Sequence, residues 1–120
     1  MKLKSLDLEE AINKVKEFAK EKLARGKNAD EFVEIGEADC FKLYVATGKT
    51  IKDAAPNSFH ENLRDVFMLL FEGEMEFTFE EGEKATIKKG QCFVLPRHLR
   101  HHCVFKKMTI ALEGIYEKGL

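Results

Sequence analysis

Tryptophan is absent from this chain, glutamine occurs once and proline twice. Cys40, Cys92 and Cys103 are odd in number, widely spaced and form no CxxC pair. That pattern argues against a disulfide framework or a zinc finger and fits reduced thiols in a cytoplasm. Long hydrophobic runs are missing too: the longest, Val66 to Phe71, is far too short to cross a bilayer. The opening MKLKSLDLEEAI places acids where a secretory leader needs an apolar core, so no leader is expected and the chain reads as cytoplasmic. Nor is there an excess of charge. With 20 Lys+Arg against 21 Asp+Glu the formal net charge is -1, and both signs are scattered. Neither a nucleic-acid footprint nor a membrane-seeking patch is expected.

Lysine and glutamate are abundant, 16 of each, and with so few amides they point to a heat-adapted source. A length of 120 residues suits one domain burying roughly two thirds of its unfolded surface. Residues 6 to 25 read as a helix: Ser5 or Asp7 can cap it, Glu9 and Glu10 suit its positive end, and Arg25-Gly26 supply a stop. Leu8, Ile12, Val15, Phe18 or Ala19, and Leu23 fall on one apolar stripe, which predicts a helix covering a sheet or a subunit boundary. Beyond Asn28 come short runs of alternating polarity: 32–35, 40–47, 65–72, 75–80, 84–88, 91–95, 101–105 and 109–116. Gly36, Gly48, Gly73, Gly82, Gly90 and Pro96 punctuate them. The division is therefore an N-terminal helix over 1–28 and a β domain over 29–120, an antiparallel sandwich or barrel. One long connection, from Gly48 to Phe59, leads into the most distinctive stretch and has the look of a functional loop.

That stretch is FHENLRDVFMLLFEGEMEFTF, residues 59 to 79, a polar head followed by the most hydrophobic strand. Six consecutive apolar residues imply a strand buried on both faces, its outer one covered by the helix or by a second subunit. A homodimer is expected on this ground. Further on, alternation puts His101, Cys103 and Phe105 on one face of their strand and His102 and Val104 on the other. An inward histidine in an apolar interior requires a metal or a carboxylate partner such as Asp65.

Residues 40 to 113 resemble a small single-domain cupin, an antiparallel jelly-roll β-barrel. Two segments carry the likeness: His60, an acidic position, an apolar strand and the turn Glu72-Gly73-Glu74; then Gly90-Gln-Cys-Phe-Val-Leu-Pro96, Arg97 to Arg100 and His101. The resemblance implies a barrel mouth with a metal held by two histidines and a carboxylate of the first segment and one histidine of the second. This sequence departs from that pattern. With His60 as the first ligand histidine, Asn62 and Val66 fall on the next two ligand positions. With His60 as the second, Ser58 takes the first position and Asp65 supplies the acid, a bulge absorbing the one residue by which the strand before Gly73 is long. The second register keeps an acid and is preferred. The expected metal set is therefore His60, Asp65 and His101, with Ser58 or water as a poor fourth, suited to Zn, Mn, Fe or Ni.

Other residues carry further expectations. Arg97 and Arg100 at the mouth could hold the carboxylate of a small organic acid, or pair with glutamates in a solvated loop. His98 stands where a cupin usually has a turn glycine and is placed on the rim, and His102 is placed on the outer face. Phe67 and Phe77 are expected to line the pocket. Cys92 and Cys103 read as small strand residues rather than nucleophiles. Glu113 interrupts an apolar strand, either as an inward base or, the preferred reading, on an exposed face. An enzyme, a small-molecule-binding module and a structural barrel all remain open, since the fold alone names no reaction.

Overall fold

The computed structural model describes residues 7–38, 41–49 and 59–116, so Cys40, Ser58 and most of the long connection lie outside the described residues. Among the described residues helix α1 spans Leu8–Ala24, and eight strands follow: β1 Glu31–Ala38, β2 Phe41–Gly48, β3 Val66–Glu72, β4 Glu74–Phe79, β5 Lys84–Lys88, β6 Cys92–Leu95, β7 His101–Phe105 and β8 Thr109–Tyr116. Every ladder is antiparallel. One sheet has the order β1-β2-β8-β3-β6 and the other β5-β4-β7. A closed barrel was expected. Among the described residues the sheets instead stack as an open pair, because each interior strand already has both ladder sides filled and the free edges share no ladder.

Asp7 caps the helix, its carboxylate accepting the Glu10 backbone N–H at 3.0 Å, and Glu9 and Glu10 occupy the first turn. The buried face is Ala11, Val15 and Ala19, with Leu8 and Ile12 beside it. Of the two alternatives expected on the stripe, Ala19 is the buried one and Phe18 is 40% exposed. The stripe is rotated towards the alanines because small side chains let the helix lie close to the sheet, and Lys16 then reaches Glu72 at 2.9 Å. Underneath lie Val45 and Ile110, both fully buried, with Val33, Ile35 and Phe71 around them.

Between the sheets the core is Val66, Leu70, Met75, Phe77, Leu95 and Ala111, with Met68, Phe79, Phe93, Cys103 and Phe105 packed against it. On β3 the inward set is therefore Val66, Met68 and Leu70. By alternation Phe67, expected as pocket lining, lies on the opposite face, in register with the exposed Val94. Between Leu70 and Glu72 the register with β8 shifts, a bulge that absorbs one extra residue of β3. Gly73 then turns the chain with φ +99, and any Cβ there would collide with Thr109 backbone at 2.5 Å. At the end of β2, Gly48 leaves room for the Phe105 ring, into which a Cβ would run.

Candidate functional site

A cavity of about 390 Å³ opens between the sheets. Val66, Met68, Met75, Phe77, Leu95 and Phe105 give it an apolar wall, so of the two aromatics expected as lining Phe77 is there and Phe67 is not. Its titratable lining consists of Asp30, His60, His101, Cys103 and Glu113. The expected face of β7 is thus realised, with His101, Cys103 and Phe105 all turned to the cavity.

His60 and His101 come together. Their backbones exchange two hydrogen bonds, His60 N–H to His101 O at 2.8 Å and His101 N–H to His60 O at 2.9 Å. The rings meet edge to face with centroids 4.3 Å apart, and Phe77 packs edge-on to the His101 ring at 5.8 Å. His101 is 3% exposed, and its Nδ1 donates to Leu99 O at 2.7 Å. A carbonyl only accepts, so in the neutral imidazole the proton sits on Nδ1 and Nε2 keeps its lone pair. Partial burial, followed by the charges of His101, His102 and Arg100, holds His60 below the ordinary imidazole range.

Asp65 does not stand with this pair. Its carboxylate accepts the Arg97 backbone N–H at 2.7 Å, and its own carbonyl accepts the Tyr116 N–H, so the residue ties the chain before β3 to the turn after β6. Among the described residues no three His, Cys, Asp or Glu side chains lie close enough together to hold a metal ion. Two imidazoles are one protein ligand short of an open three-ligand site. The donor set described is therefore a pair, and it does not make up the set that the cupin resemblance implies.

The arginines also lie elsewhere. Arg100 is exposed and bound through Nε to the Glu80 carboxylate, and Arg97 is exposed on the turn after β6. Neither lines the cavity, and among the described residues no lysine does either. His98 takes the rim as expected: it is exposed, 3.8 Å from Glu61, with φ +65, the left-handed geometry of the turn glycine it replaces. His102 does lie on the face opposite His101, yet it is 8% exposed, has Phe59 against it at 6.3 Å, and among the described residues neither ring nitrogen has a hydrogen-bond partner.

Glu113 takes the inward position, the alternative to the exposed face preferred for it. Its register partners are Tyr44 and Met68, it faces the cavity, and burial pushes its carboxyl up to about 7. The signal was present in the alternation of β8: Ala111, Glu113 and Ile115 share a face, and Ile110 and Leu112 the other. Burial likewise pushes the Cys103 thiol up to about 12, which leaves it protonated and a poor nucleophile.

No protein-family model matches the chain, and no curated protein matches it. Its likeness is to solved structures. A cupin-2 domain containing protein from Shewanella frigidimarina superposes with a TM-score of 0.58 at 16% identity, over 70% of this chain and 78% of that one. For a cupin superfamily protein from Desulfitobacterium hafniense the TM-score is 0.57 at 18% identity, over 74% and 78%. An RmlC-like cupin, also from Shewanella frigidimarina, gives 0.55 at 16%, over 72% and 75%. Identities this low speak for architecture alone, and with one N-terminal helix laid on paired antiparallel sheets the chain is a small cupin-fold domain.

Proposed function

We propose that this domain is a small-molecule-binding cupin, a jelly roll whose cavity takes an apolar-bodied ligand and holds its polar end on His60 and His101. One observation carries the reading: an imidazole pair with a lone pair left on His101 Nε2, set at the edge of an apolar cavity of about 390 Å³. His101 Nε2 accepts a hydrogen bond, so the site suits a ligand whose polar end donates one. A carboxylate meeting arginine finds no support, since Arg100 is held by Glu80 outside the cavity. Sugars and nucleotides are poor candidates because the Thr47 and Thr109 hydroxyls are already bonded to Ala29, Glu74 and Lys107 carbonyls. Titration with benzyl alcohol and with glucose, followed by amide NMR shifts, tests the reading. Benzyl alcohol should move residues lining the cavity and lose affinity in His101→Ala; glucose binding alone, or no response to either, overturns it.

A second reading has its own observation. Fixing His101 Nδ1 on a backbone carbonyl is how a metal-ligating imidazole is commonly oriented. A divalent ion (Zn, Mn, Fe or Ni) held by His60 and His101 with water would supply Lewis acidity there. Stoichiometric zinc uptake lost in His60→Ala would favour it.

We infer also that the domain pairs as a homodimer. Support comes from the outer strip of the larger sheet beyond the helix, where Phe67 and Leu69 lie next to a Val94 that is 61% exposed. Sedimentation of Val94→Lys should give a monomer; an unchanged mass removes this strip as the contact.

A further inference from the structure

Among the described residues the charged groups lining the cavity are all of one sign, although the Lys22 charge acts on Asp30 from outside it. Asp30 and Glu113 line it, no lysine or arginine does among the described residues, and its two imidazoles include one, His60, that is biased towards neutrality. Phe32 stands at the rim, edge-on to Tyr44 at 6.3 Å, and Phe77 and Phe105 form the wall. Carboxylates among aromatic faces make a field that attracts cations, since ring faces carry negative charge and a cation desolvated against them gains more than in water. Resting on the binding reading above, we propose that the ligand is an amine, a small apolar-bodied ammonium ion, and that Glu113 is its counter-ion and the residue that sets specificity.

Glu113 is suited to this because it sits on rigid backbone. It lies in the middle of β8, laddered on one side to Tyr44 of β2 and on the other to Met68 of β3. The remaining titratable groups facing the cavity are Asp30 before β1, His60 and His101 at the edge, and Cys103 on β7, none of them a fixed cation that could satisfy Glu113 internally. Asp30 belongs to the rim and is exposed, with Lys22 donating to its carbonyl. Burial keeps the Glu113 carboxyl protonated up to about pH 7. An arriving ammonium therefore makes Glu113 give its proton to solvent and pair as a carboxylate. Amine affinity should rise as pH climbs from 6 to 8, as the proton to be displaced is already leaving.

The test is isothermal titration of the full chain with three near-isosteres, benzylamine, benzyl alcohol and benzoic acid, at pH 6 and 8. Benzylamine should bind roughly tenfold tighter than benzyl alcohol at pH 8, the gain expected from a charge-assisted over a neutral hydrogen bond. That preference should shrink at pH 6 and disappear in Glu113→Gln. Equal affinity for amine and alcohol, tighter binding of benzoic acid, or a preference that survives in Glu113→Gln overturns the amine assignment and leaves the binding reading standing. Failure of all three compounds to bind overturns both. Should Glu113→Gln fold poorly, the pH trend of the unaltered chain decides by itself, and an amine affinity that does not rise between pH 6 and 8 overturns the assignment.

Discussion

His60 and His101 are joined twice, by a reciprocal pair of backbone hydrogen bonds at 2.8 and 2.9 Å and by rings whose centroids lie 4.3 Å apart. The backbone pairing continues the ladder of β7 onto the chain leaving the long connection, so the ring contact is imposed by main-chain geometry. Partial burial, and after it the charge of His101 held this close, disfavours protonation of His60. Stability should therefore respond to acid. A base whose folded pKa is depressed binds fewer protons folded than unfolded, so its contribution is intact above the unfolded value near 6.5 and is lost as pH falls below it. Urea unfolding from pH 5 to 7.5 should show less acid destabilisation in His60→Gln than in the parent. Parallel curves would show that the pair exerts no such effect.

Glu113 acts in the opposite direction. Its folded pKa of about 7 lies above the ordinary 4.5, so its stabilising contribution is whole below pH 4.5 and is lost as pH rises through about 7. Above pH 7 the unliganded domain carries a buried carboxylate. Glu113→Gln should then raise stability at pH 8 by about 1–3 kcal/mol, the upper end being a shift of that size taken at full value. Since His60 titrates in an overlapping window, the quantity to compare is the difference between variant and parent at each pH. A Glu113→Gln protein no more stable than the parent at pH 8 would mean that the carboxylate is well solvated.

Much of this architecture was legible in the chain. Gly73, Gly90 and Pro96 punctuate apolar alternation so regularly that the strand positions follow, and the period of two also put His101 and Cys103 on one face. Misplacements occurred where a local pattern leaves two faces open. Phe67 and Glu113 each lie in strands with apolar residues on both sides, so polarity alone does not say which face is inner; that is set by where the helix and the second sheet lie. As a ligand candidate Asp65 rests on being an acid five residues from His60. A carboxylate at the start of a strand can as readily accept a backbone N–H, and that of Arg97 claims it. Pairing of Arg100 with a glutamate was one of its two readings from the chain and holds; that the partner is Glu80, twenty residues away, was not legible.

The helix offers a sharper test of packing. Val15 is fully buried against Val45 and Ile110, whereas Phe18, three residues on, is 40% exposed. Val15→Asp places an unpaired charge in that layer and should cost about 3 kcal/mol or more, or unfold the domain. Phe18→Ala, though it removes far more side chain, should cost under about 1 kcal/mol. Thermal melts of the two variants suffice. The reverse order would mean that the helix lies on the sheet through the face centred on Phe18.

The last expectation concerns the thiols, which the two sides of the larger structure treat differently. Cys92 opens β6 and is exposed on an edge strand, open to solvent and to reagents. Cys103 faces the cavity from β7 in the layer of Phe77 and Phe105, and burial raises its pKa to about 12. Alkylation requires the thiolate, and at pH 8 a thiol of that kind is ionised about one part in ten thousand, against roughly a quarter for an ordinary one. Brief treatment with iodoacetamide and peptide mass spectrometry should find Cys92 modified and Cys103 intact, and urea should abolish the difference. A ligand filling the cavity should slow Cys103 further without touching Cys92, which makes the ratio of the two labels a report on occupancy. Equal labelling of both in the native protein would mean that the cavity admits water and reagent freely, and the apolar binding site argued from its lining would go with it.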